Sequence, residues 1–222
     1  MPRRRAQLLS LYRTLLTHYG QQHWWPGGGA FEVIVGAILT QSTNWQNVEK
    51  ALVNVKKAGA LDARVLAELP ESQLAGLVRP AGFFNAKAAR LKAFCVWLRN
   101  SYDCSLETLF ALDLVTLRKE LLGVYGIGPE TADSIILYGA GKPIFVVDAY
   151  TKRILGRVGL GPGGDSYAGM QGYFMSNLPH EAALFNEFHA LFVRHGKEVC
   201  RKSPLCSQCC LGRRCSRLFD GF

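Results

Sequence analysis

Residues 121–153 read LLGVYGIGPETADSIILYGAGKPIFVVDAYTKR, and two features of this stretch decide how the chain folds. Gly126, Ile127 and Gly128 make a tight Gly-apolar-Gly turn between two apolar-periodic segments, the second opened by Thr131 and Ala132. That pattern predicts a hairpin joining two helices. With no Cβ on either glycine a flat partner can reach the backbone, and the free N–H groups at the start of the second helix point outward at it. Such a surface favours an anion, above all a phosphate. Further on, the apolar run Ile144, Phe145, Val146, Val147 delivers one carboxylate, Asp148, directly before the basic segment AYTKRILGR. An aspartate there, with Thr151 three positions later, is a good helix N-cap. A single acid at the end of a buried run is also a candidate catalytic group, and the two roles are compatible.

The rest of the chain bounds what this stretch can serve. A hydrophobic fraction of 49% and a charged fraction of 19% over 222 residues describe a globular protein with one full core or two packed halves, and exclude a disordered chain. The net charge of +9 favours a polyanionic partner, nucleic acid being the commonest. No apolar run approaches the roughly 18 residues needed to cross a bilayer, so no membrane partner is expected. The acid-free N-terminus resembles an organellar transit peptide in composition. Leu8, Leu9, Tyr12, Leu15, Leu16 and Tyr19 nevertheless recur at helical spacing, and a basic amphipathic first helix is the preferred reading. Seven cysteines, five of them between 200 and 215, do not make a disulfide framework, and fit a reducing cytoplasm.

Between these landmarks, Trp24 and Trp25 precede a Pro-Gly-Gly-Gly break and so stand on a loop or helix end, one packing and one exposed, or both forming an aromatic wall for a base. Phe31–Thr40 is expected to be an apolar helix, followed by the polar cluster containing Gln41. Trp45 then falls on the first turn of the next helix, as a core anchor or a pocket residue. Residues 61–122 look like scaffold, and Lys87, Arg90 and Lys92 read as a solvated helix face rather than as DNA contacts. After a Gly/Pro-rich break, two helices carry a stripe of Leu184, Phe188, Leu191 and Phe192, with His189 and His195 read as packed or backbone-bonded. The tail places Cys200, Cys206, Cys209 and Cys215 at gaps of five, two and five residues, four thiols suited to a soft metal centre. Zinc usually shows two C-x-x-C knuckles, and here one exists.

Taken together, the hairpin L-x-G-x-x-G-I-G-x-x-T-A, the V-V-D that follows and the cysteine tail resemble the endonuclease III-like superfamily of helix-hairpin-helix DNA glycosylases, from the aromatic run near Trp24 to Cys215. The resemblance implies an all-α, two-lobed fold: a helical lobe over 25–135 ending in the hairpin, and a second lobe from 1–24 and 136–222 with a C-terminal iron-sulfur loop at 200–215. It implies a 4Fe-4S cluster on Cys200, Cys206, Cys209 and Cys215, although the first gap is one residue shorter than the common form and Cys210 is an extra thiol. In that family the hairpin, here Gly126, Ile127, Gly128 and Thr131, holds duplex DNA by its phosphates, Gln41 fills the gap left by a rotated nucleotide, and Asp148 acts on that nucleotide. Members that also cut the strand carry a lysine where this chain has Glu130. The expected enzyme is therefore a monofunctional, monomeric base-excision glycosylase of the prokaryotic cytoplasm and nucleoid. Trp24, Trp25, Trp45, Glu130 and Lys197 are similar to the pocket of the 3-methyladenine branch. Alternatives are the same scaffold acting on an oxidised pyrimidine or a mismatched thymine or uracil, and a non-catalytic DNA-structure binder.

Overall fold

The computed structural model of the chain describes residues 2–24 and 28–215. Among them every regular element is helical, and the chain divides into two compact units, residues 25–142 and residues 1–24 with 143–222.

In the first unit, α2 (Ala30–Leu39) is apolar except for Glu32, which pairs with Lys56 at 2.7 Å, and is buried from Glu32 to Leu39, the pattern of a helix enclosed by its neighbours. Against it pack α3 (Trp45–Lys57) and α6 (Phe84–Tyr102), while α4 (Ala63–Glu68) and α5 (Glu71–Val78) cover α6. Two lysines of the expected solvated face turn inward. Lys87 is 1% exposed and donates to the Ala81 carbonyl at 2.6 Å. Lys92 donates to Ala67 at 3.2 Å and Leu69 at 2.6 Å. These carbonyls belong to short helical turns whose last C=O groups lack intrahelical partners, and a cation is the favoured partner there. After α7 (Leu106–Ala111), α8 (Leu114–Leu122) and α9 (Pro129–Ser134) flank the hairpin. Proline suits the first position of α9, where its missing N–H costs nothing. α9 then widens into a π-helical turn over Ile135–Gly139.

In the second unit, α1 (Pro2–Tyr19) buries Leu8, Leu11 and Leu15 and packs on α12 (Ala182–Glu198). The apolar run 144–147 lies outside any regular element, and Phe145 is fixed by a stacked contact with Phe174 at 3.7 Å between ring centres and by Gln171 Nε2 donating to its carbonyl at 2.8 Å. Phe174, Phe185, Phe188 and Phe192 complete an aromatic core, each fully buried and each worth about 1.5–3 kcal/mol of transfer free energy. Leu184, expected on this stripe, is half-buried, and Phe185 is fully buried beside it. α10 (Ala149–Arg157) crosses α12 so closely that a Cβ at Gly196 would meet the Tyr150 side chain. α11 (Tyr167–Asn177) starts inside the expected Gly/Pro-rich break, because the Ser166 hydroxyl accepts from Gly169 N–H and caps it.

Candidate active site and nucleic-acid interface

The hairpin is held from within by side chains drawn from distant parts of its own unit. Ile127 is buried and anchors the turn, while Gly128, Pro129 and Glu130 are exposed. Gly126 sits at φ +80, and a Cβ there would collide with the aliphatic stem of Arg90; both backbone and packing require glycine. Gly128 differs, with φ −91 and open space where its Cβ would stand, so nothing inside the protein calls for glycine there. Arg118 donates Nε to Asp133 Oδ1 at 2.7 Å and Nη2 to Oδ2 at 3.1 Å. This two-point ion pair, with Asp133 fully buried, ties α8 to α9.

Gln41 takes part in this same support. Its Nε2 donates to Gly126 O at 3.0 Å and to Thr131 Oγ1 at 2.9 Å, while its Oε1 accepts from Arg90 Nη1. Thr131 is buried, and its hydroxyl braces the hairpin from inside. Arg90 is thus a bridge between α6, the hairpin and Gln41, and sequence reading missed it because no local pattern links positions 41, 90 and 126. Two exposed aromatics were also missed. Phe83, 73% exposed, precedes α6 at φ +45, a conformation uncommon for a bulky residue. Tyr125 next to Gly126 is 70% exposed.

In the second unit, Asp148 is the N-cap of α10. Its Oδ1 accepts from Thr151 N–H at 2.7 Å and Thr151 Oγ1 at 2.9 Å, while Oδ2 lies 3.6 Å from His189 Nε2, long for a hydrogen bond but short for an ion pair. Both side chains are buried. Burial by itself raises the carboxyl, but His189 and the two Thr151 donors outweigh it and hold Asp148 below the ordinary aspartate range. The carboxylate therefore stays ionised at neutral pH although largely removed from water. His189 was expected to be packed or backbone-bonded; its partner lies forty-one positions away on a different element, a pairing that sequence spacing does not signal.

The expected base-contacting residues are distributed as follows. Trp24 is half-buried, with Lys197 Nζ 5.9 Å from its ring centre, and Lys197 itself is exposed. Trp45 is half-buried on the first turn of α3 and donates Nε1 to Glu49 at 2.9 Å. Glu130 is exposed at the start of α9. Trp25 lies outside the described residues.

Beyond α12, Cys200, Cys206, Cys209 and Cys215 line one cavity together with Arg157, Val199, Pro204 and Leu205, and Cys210 is not among its walls. The donor set is four soft thiols with no carboxylate, and two sulfurs already face nitrogens: Arg157 Nη1 donates to Cys200 Sγ at 3.2 Å, and His195 Nε2 lies 3.6 Å from Cys209 Sγ. Among the described residues no group of three or more His, Cys, Asp or Glu side chains stands in the geometry of a single bound ion. Four thiols lining one cavity are a donor set that suits a soft metal centre. The loop is also tied to the aspartate's own helix. Arg153 donates to Gly196 and Cys200 carbonyls at 3.0 and 2.8 Å, and Arg157 donates to those of Arg201 and Lys202 at 2.6 and 3.1 Å. The loop is basic, with Arg201, Lys202, Arg213, Arg214 and Arg217 close to the cysteines, and of these the Arg213 side chain and Arg217 lie outside the described residues.

An open hairpin start offers a place for a phosphate, and a buried carboxylate kept ionised suits positive charge developing on a sugar; the class these define is the helix-hairpin-helix DNA glycosylase. The chain belongs to the HhH-GPD superfamily of base excision DNA repair proteins, whose family model matches residues 35–180. It is 43% identical over 209 residues to a candidate DNA repair glycosylase of Methanocaldococcus jannaschii, covering 94% of this chain and 95% of that one. Endonuclease III of Sulfolobus acidocaldarius is 25% identical over 192 residues, 86% of this chain and 83% of the relative. Among solved structures, the Helicobacter pylori 3-methyladenine DNA glycosylase bound to 1,N6-ethenoadenine matches with a TM-score of 0.73 at 30% identity, over 87% of this chain and 95% of that one. A non-covalent endonuclease III–DNA complex matches with a TM-score of 0.84 over 97% of each chain at 20% identity, a likeness of fold. The protein is a DNA repair glycosylase.

Proposed function

We propose that this glycosylase is monofunctional: it hydrolyses the N-glycosidic bond of an alkylated purine such as 3-methyladenine, rotated out of duplex DNA, and leaves an abasic site. The observation that carries the reading is Asp148, a buried carboxylate held ionised by Thr151 and His189. As the base leaves, the deoxyribose acquires oxocarbenium character, and a fixed negative charge beside it lowers the barrier while needing no reorganisation. The carboxylate also orients the attacking water. An N-alkylated purine is cationic and a good leaving group, so a carboxylate and an aromatic surface suffice without a strong acid.

Recognition of that base is assigned to Trp24, Trp25 and Trp45, whose ring faces favour a cation, and to Glu130, which attracts one. Lys197 over Trp24 would compete for the same ring face, so its displacement or reorientation accompanies base entry. DNA is gripped by Gly126, Ile127, Gly128 and Thr131 as the hairpin, with Thr131 acting from inside, and the exposed Phe83 and Tyr125 offer rings to bases or sugars. Gln41 fills the vacated space in the duplex only after leaving Gly126 and Thr131. Cys200, Cys206, Cys209 and Cys215 are assigned to a 4Fe-4S cluster, which when bound supplies cross-links that hold the basic loop in shape. The protein acts as a monomer on chromosomal DNA, in the cytoplasm of a prokaryotic cell.

The hairpin sequence supports monofunctionality, since a β-elimination lyase needs an amine to form a Schiff base and residues 121–141 contain no lysine. The test is base release from duplexes each carrying one methylated, oxidised or deaminated base, with borohydride present in parallel. Release of the methylated purine without a trapped covalent adduct is the expected result. A trapped adduct that disappears in Lys197→Ala would show a lyase using that exposed amine. Preference for an oxidised or deaminated base would move the enzyme to another specificity, and no release of any base would leave a DNA binder.

A further inference from the structure

His195 is fully buried in the last turn of α12, and both of its ring nitrogens have a neighbour. Nδ1 lies 2.8 Å from the Tyr19 hydroxyl at the end of α1, and Nε2 lies 3.6 Å from Cys209 Sγ. The Tyr19 ring meets the imidazole edge-on at 5.8 Å, and the Arg194 guanidinium lies 5.0 Å from the centre of the Tyr19 ring. A chain of three side chains thus runs from half-buried Tyr19 through His195 to one thiol of the cysteine loop. Resting on the cluster assignment above, we propose that Tyr19 and His195 are positioning residues that hold an N–H on the Cys209 sulfur and thereby set the reduction potential of the bound cluster.

The argument is one of donors and acceptors. A metal-bound thiolate has no proton and can only accept, so the nitrogen facing it must carry the hydrogen, which places N–H at Nε2. In the neutral imidazole Nδ1 is then an acceptor, and it is met by a phenol O–H, which donates. Tyr19 therefore selects the tautomer, as outer partners of ligating groups commonly do. An N–H on a cluster sulfur withdraws electron density and favours the reduced, more negative state, and hydrogen bonds to sulfur are among the recognised determinants of cluster potential.

The experiment compares full-length protein, purified without air, as wild type, His195→Leu, His195→Gln and Tyr19→Phe. Iron and sulfide content, midpoint potential by spectroelectrochemistry and the Fe–S(Cys) stretching frequencies are measured on each. The midpoint potential is expected to fall in H195L, to fall less in Y19F, and to return toward wild type in H195Q, whose amide restores a donor at similar reach. Stretching frequencies should follow the same order. A loaded H195L with the wild-type potential and spectrum overturns the proposal. Should H195L hold no iron, Y19F decides, and a wild-type potential in Y19F overturns it equally. Wild-type protein without iron would remove the cluster assignment and this inference together, whereas a loaded wild type with insensitive variants removes this inference alone.

Discussion

Two helix starts to which the proposed function gives a part, those of α9 and α10, are built in opposite ways. α9 begins at Gly128 with no side chain closing it, whereas α10 begins at Asp148, whose own carboxylate accepts from Thr151. Both ends carry the partial positive charge of unpaired N–H groups. At α9 that charge is left for an anion from outside. At α10 it is met by an internal anion, and the same field that is capped helps to keep the carboxylate ionised after burial. On the proposed function, one start receives negative charge and the other stores it, so that the first would grip the phosphate and the second would offer charge to the sugar.

Asp148→Asn breaks the second start most sharply. Asparagine is an equally good cap, so the fold and the helix content by circular dichroism should be retained, while single-turnover base release falls by about 10²–10³-fold, the usual loss when one fixed electrostatic partner is removed. Retained release would show that Asp148 is a cap and nothing more. The next contrast lies within the hairpin. Gly126→Ala forces a side chain into the left-handed region, costing about 1–2 kcal/mol, and also displaces Arg90; a lowered midpoint in urea is expected. Gly128→Ala has an ordinary φ and open space, so its stability should change by less than about 1 kcal/mol. Its affinity for undamaged duplex should drop about tenfold, on the scale of one charge-assisted hydrogen bond. Equal DNA binding by G128A and wild type would mean that the open start faces no phosphate.

What could be read from sequence follows the span of the contacts. The hairpin and the Asp148 cap are local, since Gly126-Ile127-Gly128 and Asp148-x-x-Thr151 carry their geometry within four residues, and both were legible. The supports were not. Gln41 reaches positions 126 and 131, Asp148 reaches His189, and Arg157 reaches 200–202; each pairing spans at least forty residues and leaves no periodic trace. Lys87 and Lys92 misled for a related reason. Their spacing is that of a solvated face, but the carbonyl ends they satisfy lie on other helices, so only the packed unit reveals why two charges point inward. The aromatic stripe of α12 was legible as a core, while the two histidines embedded in it were indistinguishable from packing until their partners were in place.

Thr151→Val sharpens the comparison at its finest level, because it removes one of two donors to Asp148 and leaves the backbone N–H. At neutral pH the cost should be about 1 kcal/mol, that of a single net hydrogen bond. The pH dependence carries more information. Asp148 lies below the ordinary aspartate value of roughly 3.9, so its contribution is fully present above that unfolded-state value and is lost as pH falls through the lower folded-state value. With the Thr151 hydroxyl gone the folded-state value rises toward the unfolded one. The acid loss of stability then becomes smaller: it still begins near the unfolded-state value but is complete at higher pH than in wild type, and in Asp148→Asn this component disappears. Unfolding midpoints measured in urea from pH 3 to 7 distinguish the three proteins. An acid limb unchanged in both variants would place the ionised state of Asp148 outside the folding energetics, and would leave its burial to be balanced by something other than its cap.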